Sequence, residues 1–258
     1  MFLIADPKLV TCHADAAEYA VRINQSIVLV HETRASSPLS GGALWSIRAD
    51  QLALHRAILP LCADGWAFAS APLLRTMLDL LLSAAVIARK PDEAEYRGFK
   101  YTHIFLKDNL NNPVFTKEQR SEIREQISTG IKQLPEESRE KAQQFMFKER
   151  MYPYWFSPEF ARPSDVVEQL CSADVAKLYR LFSGGSHGGY IGLRLLKDQP
   201  DEVHPNPRAD KRSQEMALAG SIRFTFETFR GCDRSEGASL NEGLSKSFFE
   251  KFQSLNPA

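Results

Sequence analysis

From Leu73 the chain reads LLRTMLDLLLSAAVIA, the core of a run from Gly65 to Ala88 that carries two formal charges, Arg75 and Asp79. A stretch this apolar has to be covered, either by lipid or by the rest of the protein. It is long enough to span a bilayer. However, each charge near its middle would cost roughly 2.5–3.5 kcal/mol there, and Pro72 interrupts it. The expectation is therefore a core helix of a soluble protein, with no membrane partner. The charges are four residues apart, so on a helix they share one face. A charge buried alone is costly, and each can serve as the other's partner.

The remaining sequence can supply the cover. With 258 residues, 43% apolar and 25% charged, the chain has the composition of a globular protein and is long enough for one large core. Its 32 Lys and Arg balance 32 Asp and Glu, so no global field draws it toward nucleic acid or anionic lipid. Cys12, Cys62, Cys171 and Cys232 are widely separated and form no C-x-x-C pair, which argues for reduced thiols and a cytoplasmic location. The opening MFLIADPKLV has no basic region and is not expected to act as a secretion signal.

Helical patterns dominate. Residues 14–33 read as a helix; IVLV within them could be a strand, but nothing nearby alternates with period two to pair with it. SSPLSGG at 36–42 reads as a loop. Helices are expected from about Trp45 to Leu61, ending near Pro60, through the apolar run to before Pro91, and over 92–109. Residues 117–150 carry eight basic and seven acidic residues around a narrow stripe of Ile123, Ile127, Ile131 and Leu134. They predict solvated helices that project from or flank the core, divided at Pro135. MYPYWFSPEFARPS at 151–164 predicts an ordered loop packed by its own rings. A helix with Ser172 as N-cap follows, then the glycine-rich SGGSHGGYIG, a loop at 198–208 and a long helix at about 210–231. The fold class expected is all-α. It is a helical bundle over residues 1–232 with the charged segment inserted, followed by a linker and short C-terminal helix over 233–258.

Two places could carry chemistry. One is the Arg75–Asp79 pair, which is either a structural ion pair or a charged pair presented to a pocket. The other is YRLFSGGSHGG, where Tyr179, Ser183 and His187 are spaced by four beside Arg180. Gly184 and Gly185 each weaken a helix by roughly 1 kcal/mol, so the helix can end there and leave His187 in a loop where backbone approaches a ligand closely. Histidine is the usual acid–base group at neutral pH. Gly184 to Gly188 also matches G-x-S-x-G, but no strand precedes it, as a nucleophile elbow requires. His13, His31, His55 and His103 stand singly, with no H-E-x-x-H and no carboxylate cluster, so no metal is expected. No P-loop or dinucleotide fingerprint is present.

The pattern L-L-R-x-x-x-D at Leu73, Leu74, Arg75 and Asp79, followed by Y-x-x-x-S-x-x-x-H at Tyr179, Ser183 and His187, resembles an uncharacterised bacterial all-helical family. That family is similar to the HEPN helical bundles. The resemblance spans residues 45–231. Arg180 and His187 are separated by six residues, as in the R-x(4–6)-H motif of HEPN ribonucleases; the residue after the arginine is Leu181 where that family has a polar one. The resemblance implies RNA as ligand, a homodimer or protein partner, a bacterial toxin or antiphage setting, and no cofactor. His187 would be the acid or base, Arg180 and Arg75 would hold phosphate, Asp79 would orient an arginine or the histidine, and Tyr179, Ser183, Gly184 and Gly185 would line the site. The alternatives are a non-catalytic interaction or scaffold module, and a small-molecule sensor using the glycine loop.

Overall fold

The computed structural model describes residues 8, 10–19, 22, 38–64, 66–110, 112–148, 154–186, 211–235 and 250–251. At 38, 68, 181–186, 211–214 and 230–235 it describes the backbone alone. Among these residues the fold is all-α, with no strand. From Pro38 onward its α-helices are α1 (Pro38–Ala63), α2 (Ala71–Ala88), α3 (Ala94–Leu110), α4 (Lys117–Gln133), α5 (Glu136–Gln143), α6 (Pro163–Leu170), α7 (Ala173–Ser186) and α8 (Lys211–Ser235), and residues 10–19 are helical too. The IVLV stretch, the loop at 198–208 and most of the expected C-terminal helix lie outside the described residues.

The apolar run becomes α2, and the reason for its composition is its position. It packs against α8, α1 and α7 at once, with α6 and α3 at its flanks. Leu74, Met77, Leu78, Leu81, Leu82, Val86 and Ile87 are buried. The helix is long and apolar enough to cross a membrane, and here other helices cover it. Leu74, Met77 and Leu78 meet Ile58 and Cys62 of α1, Val175 of α7, and Leu218 and Phe224 of α8. Filling a core with such side chains stabilises by roughly 1.5–3 kcal/mol each relative to exposure.

Two local expectations are corrected. The stretch SSPLSGG is not a loop throughout: α1 begins at Pro38 and runs through Ser40, Gly41 and Gly42. Proline suits a first helical position because its missing N–H is one of the orphans there. Glu95 of α3 then accepts from the Leu39 backbone N–H at 3.2 Å and from the Ser40 hydroxyl. A carboxylate 56 residues away therefore caps this helix, and local propensity could not reveal it. The helices come close enough for this because residue 98 is glycine: a Cβ there would lie 2.6 Å from the Ser40 Cα and 2.8 Å from its nitrogen. α1 also continues past Pro60 to Ala63, with the Asp64 N–H donating to the Pro60 carbonyl at 2.9 Å.

The charged segment folds as the sequence suggests, as two helices parted at Pro135 that flank the bundle. α4 starts at a capping box in which Thr116 Oγ1 accepts from Gln119 N–H and Gln119 Oε1 accepts from Thr116 N–H. Ile123, Ile127 and Leu134 bury against Phe99 and Leu110 of α3 and against Phe145. Phe145 lies in a π-helical turn, Gln144–Lys148. The ammonium of Lys107 donates to its carbonyl, and the ammoniums of Lys107 and Lys100 lie 4.1 and 4.4 Å from its ring. In the aromatic loop, Tyr154 stacks on Phe156 with centroids 5.2 Å apart, and Phe156 and Phe160 bury against α2 and α6. Lys100 donates to the Ser157 carbonyl at 2.8 Å, which ties the loop to α3. Buried Arg97 bonds Glu159 of the loop at 2.8 Å and Glu93 at 2.7 Å.

Candidate functional site

The site is built where α7 crosses α2. α7 starts at Ser172, whose hydroxyl accepts from the Val175 N–H at 3.4 Å, and Asp174 in its first turn complements the helix dipole. The two helices run antiparallel: Tyr179 meets Arg75 near the start of α2, while Ser172 and Val175 share a groove of about 320 Å3 with Leu81 and Ala85 further along it.

Arg75 and Asp79 form a two-pronged pair. Arg75 Nη2 lies 3.0 Å from Asp79 Oδ1, and Nε donates to Oδ2 at 3.3 Å. The Arg75 guanidinium carbon sits 4.7 Å from the centroid of the Tyr179 ring, a cation–π distance. The expectation that this pair is buried inside the apolar run is corrected. The side chains are 18% and 51% exposed, because α2 turns its apolar faces to α1, α7 and α8 and leaves this edge at the surface. The Asp79 pKa is nonetheless raised: partial withdrawal of the carboxylate from water raises it, and the charge and hydrogen bond of Arg75 oppose that.

Of the residues marked by the sequence, the structure therefore gathers Arg75, Asp79 and Tyr179. Arg180 follows Tyr179 on α7 and is exposed. α7 does not break at the glycines; it continues through Gly184 and Gly185 to Ser186, so Tyr179 and Ser183 are one turn apart on a single helix. The helical backbone at Gly184–Ser186 is incompatible with a nucleophile elbow there. His187 lies outside the described residues, one position beyond the end of α7. Among the described residues, no three His, Cys, Asp or Glu side chains are gathered so that they could hold a metal. Cys171 lines the groove beside the cluster. Its thiol is pushed up to about 12 by burial and by Glu227, so it stays protonated at neutral pH and is no nucleophile.

A second polar cluster involves α1 and the helix at residues 10–19. His13 and His55 are buried with ring centroids 5.8 Å apart, and Gln51 is buried one turn before His55. The signal was present in the sequence: Arg48, Gln51 and His55 recur at three and four residues on α1, in line with apolar Leu44, Leu52 and Ile58. Single histidines carry no mark of burial, so the reading left them apart.

Residues 46–203 match the profile of a family of unknown function, DUF5677. No curated protein and no solved structure matches the chain.

Proposed function

The chain belongs to the DUF5677 family, and on that premise we propose that it is a HEPN-like helical protein that binds RNA and cleaves it without a metal, in a bacterial toxin or antiphage system. The observation that carries this reading is the surface cluster at the α2–α7 crossing. There a guanidinium is oriented by a carboxylate and seated on an aromatic ring, with a second arginine, Arg180, exposed on the next position of α7. Planar guanidinium groups are the usual partners of phosphodiesters. In the reaction the ribose 2′-oxygen attacks phosphorus as its proton passes to a general base. The bond to the 5′-oxygen breaks and that oxygen takes up a proton, leaving a 2′,3′-cyclic phosphate and a 5′-hydroxyl. His187 is assigned one of these two proton transfers; Arg180 and Arg75 hold the phosphate, and Asp79 keeps Arg75 in register. Ser183, Gly184 and Gly185 form the last turn of the helix leading to His187.

Expression of the wild type and of His187→Ala in cells, with growth and total RNA followed, tests the reading. Fragmented RNA with cyclic phosphate ends, seen with the wild type alone, is the expected result. Intact RNA after incubation with purified wild-type protein, together with no binding of a labelled single strand, overturns it.

The same cluster supports a second reading, a non-catalytic scaffold in which Arg75 fastens α2 to α7. Its motivation is the extent to which Arg75 is engaged, by Asp79 on one side and Tyr179 on the other. In that case Arg75→Met lowers the unfolding midpoint and leaves RNA untouched in both proteins.

A further inference from the structure

Residues 10–19 are helical and dock through a narrow face. His13, Ala16 and Ala17 are at most 2% exposed, and Val10 packs on the cluster that contains Ile58 of α1 and Leu218 of α8. Three of these four contacts are small or modest apolar groups; the fourth is an imidazole. His55 Nε2 lies 3.4 Å from the His13 carbonyl oxygen, so Nε2 carries the proton and donates. That leaves Nδ1 as the site for any second proton, and Nδ1 is buried with no partner. The Nδ1 of His13 is buried and unpartnered too, as are both amide atoms of Gln51. A proton added at either ring would place a charge in a buried site, against a second imidazole.

We propose that residues 10–19 are a strap that lies on α1 and α8 while both imidazoles are neutral and detaches when they take up protons. The charges around them do not rescue the protonated state. On the strap and beside it, Lys8, Asp15, Glu18 and Arg22 are exposed, and Glu18 faces Arg22 at 3.9 Å. From the C-terminal side, Glu250 and Lys251 are exposed, with Lys251 over the Tyr19 ring. On α1, Asp50 and Arg56 are exposed and the buried charge is a cation, Arg48. On α8, Glu215 is exposed, and Arg223 faces Glu227 at 3.2 Å. The carbonyls of His13 and Ser221 favour a proton on His55, but burial outweighs them; its pKa falls to about 4. Burial, then the neighbouring His55, lowers that of His13 to about 3. Both folded values lie below the free value of 6.5. The histidine contribution to docking is therefore fully present above pH 6.5 and diminishes as pH falls from there toward 4.

Hydrogen exchange of the full chain, corrected for the intrinsic chemical rate, reads the strap directly. Between pH 7.5 and pH 5.0, protection of amides 10–19 is expected to drop by about 30-fold for each histidine that titrates, while amides of α2 keep theirs. The double variant His13→Gln, His55→Gln should show no such drop. Unchanged protection of 10–19 in the wild type at pH 5.0 overturns the proposal. So does an equal loss across α2, which would be global unfolding rather than release. An undiminished drop in a folded double variant overturns it as well.

Discussion

Gly98 shows how one residue sets the distance between two helices. A methyl group there would press on the Ser40 backbone at 2.6 Å, and backbone cannot swing aside. Helix propensity favours alanine over glycine by up to about 1 kcal/mol, whereas overpacking costs about 1–3 kcal/mol, so the clash decides the sign. Gly98→Ala is expected to lower stability by about 1–2 kcal/mol in urea denaturation; a stabilised variant would mean that α1 and α3 can move apart freely. Asp79 gives the opposite case. Its side chain is half in solvent, and exposed ion pairs contribute about 0–1 kcal/mol. Asp79→Asn should therefore shift the unfolding midpoint little, while weakening RNA binding if Arg75 needs its carboxylate for orientation. Arg75 and Asp79 were legible because two charges four apart within an apolar run demand a partner, whether structural or functional. His13, His55, Arg97, Lys100 and Lys107 were not, because each is buried by chain that lies far away in sequence, and the residue type alone predicts a surface.

Among the elements, α1 shows where local reading ends. Ser, Pro and Gly in SSPLSGG have every reason to form a turn, and the helix forms because Glu95 caps it from α3. A lost cap costs about 0.5–2 kcal/mol. Glu95→Ala is thus expected to fray residues 38–44, seen as faster amide exchange there with α2 unaffected. Retained protection would show that Pro38 and packing suffice. α7 makes a similar point, since two adjacent glycines remain helical at its end. A penalty of about 1 kcal/mol each is small beside the burial of Val175 and the packing of Leu178 and Tyr179 on α2. By contrast, α4 followed its pattern closely, because its capping box and isoleucine stripe are local signals that agree with one another.

At the scale of the molecule, α3 connects two packed regions. Phe99 and Leu110 join α4 and Phe145 on one side, and Tyr101 packs with Ala43, Leu44 and Ile47 of α1 on the other. The charged segment is therefore expected to unfold together with the bundle. Ile127→Ala, at a fully buried position, should cost about 2–4 kcal/mol and shift one cooperative transition without splitting it; two separate transitions would mark the segment as an independent unit. The sequence by itself determined the helical class, the buried central helix, the division at Pro135 and the ring-packed loop. Each of these follows from periodicity, composition or proline chemistry within a few turns of chain. Only the tertiary structure decided that the Arg75–Asp79 pair reaches the surface, that Tyr179 lies beneath it, that Glu95 caps α1, and that two histidines meet in the interior. These depend on which helix faces are brought together, and that choice is made by the burial of many side chains at once.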